Sequence, residues 1–330
     1  MKSPKCDSVP GLSPDAPRRD SNELWGEYWG RAPADACTAE LPPAVREAIS
    51  VGWREAFAAL DDGACVLDIA TGKGAVLETG RRAIKPGRAA NLTGLDRANP
   101  PPGRHGAVFQ SGAAKFIGGA DAARLPLPDL SQDLVTSQFG VEYAGLQAAA
   151  TEAARVCRGR ILFLVHAADG AVVRQNSAQS EQIGWALDEL GFAAALQNFF
   201  KARSTETAGQ MDQILKAMRA RAEREENPNL ISGLIGNALE LQTLADHTPL
   251  PEISRMIEAM ETRMRDHAAR MDALARAAPT ADALEAEGRR LRTAGFGDLA
   301  ISPLTGTSGE IAGRWISARR ESGIGRKLTR

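Results

Sequence analysis

The stretch VLDIATGKGAVL, Val66 to Leu77, decides the fold. A short apolar run ends in a glycine turn and passes directly into helix-compatible residues, the pattern of a strand, a tight turn and a helix opening on a ligand. Two phosphate-binding readings each lack a required element. The dinucleotide fingerprint GxGxxG has its first two glycines at Gly72 and Gly74, but Leu77 stands in the third place, where glycine lets helix and strand pack closely. A phosphate-cradling GxxxxGK[ST] loop would use Gly72 and Lys73, but Leu67 occupies its first glycine position and Gly74 replaces the Ser or Thr.

Outward from this turn the chain alternates short apolar runs with helical stretches. Candidate strands are CVLDIA (65–70), NLTGLD (91–96), KFIGGA (115–120), DLVTSQF (133–139) and RILFLVH (160–166), with helices near 75–84 and 142–157. This predicts an α/β fold, a Rossmann-like and mostly parallel sheet covered on both faces. Near the end, AGFGDLAISPL and EIAGRWISARR are joined by TGTSG, which suits a hairpin and adds an antiparallel terminal strand.

Four regions follow. Residues 1–20, rich in Pro, Ser and charge, bury too little to order themselves and are expected to be a disordered lead. Residues 21–167 carry N-terminal helices, with Trp25, Tyr28 and Trp29 at helical spacing, and the ligand-binding core. Residues 168–280 form a helical insertion after the fifth strand, and 281–330 complete the core with a terminal helix and the hairpin. In the insertion Ile253, Ile257, Met260, Met264, His267, Met271 and Leu274 repeat as a heptad seam. The insertion could be a substrate lid, a homodimer contact through 251–277, or a helical hairpin packed on its own domain. His267 reads as a packing residue, since no second ligand type lies one turn away.

What the glycine turn could bind follows from its neighbours. Asp68 ends the first strand, and Gly72 and Gly74 in ATGKG let backbone approach a ligand with no Cβ between. S-adenosylmethionine has no phosphate but carries an amino-acid end, a ribose and an adenine. Asp96, closing LTGLD, could accept from both ribose hydroxyls. Asp121, after the third strand, could accept from the adenine amino group while the Ala122 amide meets a ring nitrogen. Ser137 to Phe139, ending the fourth strand, would floor the site. All fall at the carboxyl edge of one sheet, where open α/β sheets bind ligands. Each carboxylate could instead cap its own turn.

VLDIATGKG, LTGLD, ADAARLPLPDLSQDLVTSQFGVEY and RGRILFLVHA together resemble the class I S-adenosylmethionine-dependent methyltransferase family, over about 43–166 and again near 283–320. Ala70 stands where that family usually has the first turn glycine. The resemblance implies S-adenosyl-L-methionine as cofactor, held by Asp68, Ala70, Thr71, Gly72, Gly74, Asp96, Asp121, Ala122, Gln138 and Phe139.

Methyl transfer from a sulfonium is an in-line displacement that the protein serves chiefly by orientation; a base is needed only when the nucleophile must lose a proton. Glu142, Tyr143 and His166 stand at the correct sheet edge for that work, with Gln138 as an orienting donor. SQFG replaces the Asn/Asp-Pro-Pro-Tyr/Phe strand end that the resemblance would imply for a nucleic-acid amino-methylating enzyme. A small, fairly apolar acceptor, methylated on oxygen, nitrogen or carbon, is therefore expected. The alternatives are a cofactor-binding scaffold or regulatory protein, and a protein or RNA methyltransferase using the arginines of GRWISARRESGIGRKLTR.

Composition agrees with these expectations. In 330 residues, 40 Lys and Arg against 41 Asp and Glu give a net charge of -1, so no global positive field collects nucleic acid. Cys6, Cys37, Cys65 and Cys157 lie far apart without a CxxC pair, so neither metal nor disulfide is expected, and a reducing cytoplasm fits best. No run approaches the ~18 apolar residues of a membrane span.

Overall fold

The computed structural model describes residues 21–321; the expected disordered lead and the basic tail beyond Glu321 lie outside the described residues. Along the chain run α1 (Ser21–Arg31), α2 (Pro43–Ala58), β1 (Ala64–Ile69), α3 (Ala75–Arg81), β2 (Ala90–Leu95), α4 (Ala107–Gln110), β3 (Lys115–Ile117), β4 (Gln132–Gln138), α5 (Leu146–Val156) and β5 (Cys157–Val165). The insertion follows as α6 (Ala171–Gly184), α7 (Phe192–Ala202), α8 (Thr205–Ala222), α9 (Asn229–Leu244) and α10 (Leu250–Ala277). Then come α11 (Ala281–Thr293), β6 (Phe296–Thr305) and β7 (Ile311–Arg320).

All seven strands join one sheet in the order β3-β2-β1-β4-β5-β7-β6. The first five are parallel and β7 runs antiparallel to both neighbours, which is the Rossmann-like arrangement expected from the sequence. Strand order reverses between β1 and β4, and register sets Asp68 beside both Gly94 and Thr136. That reversal opens the crevice where doubly wound sheets hold ligands.

Both faces of the sheet are covered because its strands are apolar on both sides. Leu67, Ile69, Val135, Ile161 and Phe163 pack with α5 and α11 residues such as Ala149, Ala153, Leu284 and Leu291. Val66, Leu134, Leu162 and Leu164 pack on the other face with Val45, Ile49, Trp53 and Phe57 of α2. Burying side chains of this size contributes roughly 1.5–3 kcal/mol each before chain entropy is subtracted.

The chain divides into two compact units: an α/β unit of Ser21–Ser177 with the chain from Met271 onward, and a helical unit of Ala178–Arg270. In the helical unit Ile253, Ile257, Met260 and Met264 of the predicted seam are buried with Phe192, Leu196, Met218, Ile231, Leu234 and Leu241 from α7, α8 and α9. These four side chains thus serve the unit's own core. Half-buried His267 meets Gln179 Oε1 through Nε2 at 3.0 Å, and burial, with Arg270 nearby, pushes its pKa down. Ser204 and Thr207 form a reciprocal cap at the start of α8, and Arg221 lies 4.5 Å over the Trp185 ring. No helix among the described residues is long and apolar enough to cross a membrane.

Candidate functional site

The turn after β1 has an unusual backbone. Ala70, Gly72 and Gly74 all have positive φ, at 53°, 52° and 78°, so the chain turns twice through conformations that only glycine adopts freely. Ala70 holds its strain because Gly140 gives it room: a Cβ on Gly140 would stand 2.3 Å from that of Ala70. Gly74, at the start of α3, is equally constrained, since a Cβ there would meet Val108 at 2.5 Å. The Trp29 ring packs on Gly72, where a Cβ would come within 2.7 Å of it. Turn and aromatic helix therefore meet at the carboxyl edge of β1.

Asp68 is buried at the end of β1, where its Oδ2 accepts from Thr71 Oγ1 at 2.6 Å and its Oδ1 from Thr136 Oγ1 at 2.8 Å. Burial pushes its pKa up to about 7 against those hydrogen bonds. Asp96 is buried beyond β2; its Oδ2 accepts from the Gly72 amide at 2.7 Å and its Oδ1 from the Ala98 amide at 2.8 Å. Asp96, expected to accept from ribose hydroxyls, thus fixes the glycine turn, and burial raises its pKa too. Asp121 is exposed and its Oδ1 accepts from the Ala123 amide at 2.9 Å, closing its own turn, while Ala122 is buried.

At the next strand end, Gln138 Oε1 accepts from Trp53 Nε1 at 2.6 Å, which commits its acceptor to α2. Phe139 takes a positive φ of 54° and stacks on His166 at 4.4 Å. The turn Val141–Ala144 places Glu142 in the interior, where its Oε1 accepts from both the backbone amide of His166 at 3.0 Å and its Nδ1 at 2.7 Å. In the neutral tautomer that donates Nδ1–H to this carboxylate, Nε2 carries the lone pair. Tyr143 sets its ring 5.2 Å from Trp25 and 6.3 Å from His166. It also packs against the buried cluster of Val173, Leu274 and Ala278, giving this end of the site an apolar wall.

Glu142, Tyr143 and His166 are therefore one group in space, as are Asp68, Thr71, Gly72 and Asp96. The pairing of Glu142 with His166 has no sequence signal, because it joins two loops across β4 and β5. Cys37 was missed altogether: burial, then Glu142 and Asp96, push its thiol up to about 12. Thr136, also missed, carries the legible signal of a polar residue inside an apolar strand.

Asp68, Asp96 and Glu142 form no ion pair with Lys or Arg among the described residues, and Lys73 of the turn pairs with none of them.

No protein-family profile and no curated protein matches the chain. The solved structures that it resembles include S-adenosylmethionine-dependent methyltransferases. One from Aquifex aeolicus shares 15% identity over 46% of this chain and 75% of its own, at a TM-score of 0.33. Another, from Thermotoga maritima, shares 12% identity over 90% of this chain and 100% of its own, at a TM-score of 0.43. The chain spans 59% of the length of a chain from the Haloferax volcanii complex of the Trm112 methyltransferase activator with a methyltransferase, at 23% identity over 37% of this chain and a TM-score of 0.30.

Proposed function

We propose that this chain is an S-adenosylmethionine-dependent methyltransferase acting on a small acceptor that must give up a proton. The observation that carries the reading is the Glu142–His166 pair, which lies at the same sheet edge as the glycine turn and beside an apolar wall. The cofactor's chemistry fits the donor set: it brings positive charge and no phosphate to a region of buried carboxylates. When bound, it supplies an electrophilic methyl group on a sulfonium. Asp96 and the Gly72 turn, already locked together, would hold its ribose and amino-acid portions, and Asp121 with the Ala122 amide its adenine.

The remaining work belongs to this chain. His166 Nε2 takes the acceptor proton, Glu142 stabilises the imidazolium that results, and Phe139 keeps the ring in place by stacking. The wall of Tyr143, Val173 and Leu274 orients an apolar acceptor and excludes water.

To test this, transfer of a labelled methyl group to a panel of small hydroxylated, aminated and carbon-acid acceptors is measured for the wild type and His166→Gln. Transfer by the wild type that falls about 10²–10⁴-fold in the variant is expected, the usual range for general-base loss. An undiminished rate in the variant would sink the proposed role of His166.

A further inference from the structure

Glu142 uses only one of its two carboxylate oxygens. Oε1 takes both hydrogen bonds from His166, whereas Oε2 is buried without a hydrogen-bond partner among the described residues. An orphaned buried acceptor is costly, and more so when charged, so its persistence points to a donor that arrives with a ligand. The side chain is fully buried, so this donor must come into the site and not from bulk solvent.

The surroundings define the donor's chemistry. Tyr143 and Cys37 lie within electrostatic reach of the Glu142 charge. The rings of Trp25, Tyr143, His166 and Phe139 follow one another at centroid separations of 5.2, 6.3 and 4.4 Å. Aromatic faces carry negative potential, and a carboxylate adds a full charge, so the complement is a cation that also donates hydrogen bonds. A neutral hydroxyl would satisfy Oε2 but leave its charge uncompensated; an anionic acceptor would be repelled.

We propose that the methyl acceptor is an amine, entering as its ammonium with one N–H on Glu142 Oε2 and its hydrocarbon body against Val172, Val173 and Leu274. This rests on the methyltransferase reading. One ammonium proton passes to His166 Nε2, which frees the nitrogen lone pair. That lone pair forms the new N–C bond to the methyl carbon while the C–S bond breaks and its electron pair stays on sulfur. The product leaves as a methylated ammonium, and the imidazolium returns its proton to solvent. Charge balances throughout.

The test is calorimetric titration of the full chain with S-adenosylhomocysteine, and then with benzylamine and benzyl alcohol, which differ in the donor and its charge but hardly in shape. The expected result is homocysteine-product binding together with at least a tenfold preference for benzylamine, which Glu142→Gln abolishes. Because that variant changes a fully buried group, Trp25→Leu gives a second readout, weakening benzylamine several-fold and leaving benzyl alcohol unchanged. Binding of S-adenosylhomocysteine without amine preference, or a preference that survives both substitutions, overturns this inference and leaves the methyltransferase reading intact. Loss of S-adenosylhomocysteine binding in the wild type removes both.

Discussion

The two units of this chain bury different things. Among the described residues the α/β unit encloses Asp68, Asp96, Glu142, His166, Thr136 and Ser137, whereas Gln182 is the only buried polar side chain of the helical unit. A core of Leu, Ile, Met and Phe is explained by burial alone; buried carboxylates without partner cations are not. Acids in that state raise the cost of the folded protein, and the α/β unit carries that cost where the helical unit does not.

The largest separation of the two units should come from the helical core. Ile231 is fully buried there, and Ile231→Ala should cost about 2–5 kcal/mol in denaturant unfolding, with S-adenosylhomocysteine affinity unchanged in the folded variant. A parallel loss of affinity would blur the division drawn here.

A second effect, on the order of a few kcal/mol, concerns pH. Burial lifts the Asp68 carboxyl from its ordinary 3.8 to about 7, so between those values the folded state holds a proton that the unfolded state has released. Stability therefore falls as pH rises through that window, and Asp96, shifted the same way by burial, adds to the trend. Urea midpoints compared at either end of the window should show the fall, and Asp68→Asn should flatten it. An unchanged slope in the variant would mean that Asp68 is not the titrating group.

The smallest effect probes the strained turn. Gly140→Ala drives its Cβ onto that of Ala70 and should destabilise by about 1–3 kcal/mol. Ala70→Gly, which removes the obstructing atom and the positive-φ strain, should itself stabilise by no more than ~1 kcal/mol and should rescue Gly140→Ala. Additive losses in the double variant would contradict the contact.

Much of this was legible because the sheet is written locally. β1, β2, β4 and the β6/β7 hairpin fall within a residue or two of the runs read from apolar pattern and glycine turns. β3 stops at Ile117, short of the expected run to 120, because Gly118 and Gly119 end the pairing. The heptad repeat was legible, but what covers it was open, since period alone names no neighbour. Pairings between distant loops were invisible for the same reason: Glu142 with His166, Asp96 with Gly72, and Gln138 with Trp53 depend on register and strand order.

The proposed function requires that the buried acids of the α/β unit and its glycine turn bind a phosphate-free, positively charged cofactor. The direct measurement is calorimetric titration of the wild type with S-adenosylmethionine, S-adenosylhomocysteine and NAD, repeated on Asp96→Ala and Asp121→Ala. The account predicts binding of both sulfur ligands, none of NAD, and an affinity loss of more than about tenfold in Asp96→Ala, the size of a lost charged hydrogen bond. Binding of NAD, or of neither sulfur ligand, would contradict it.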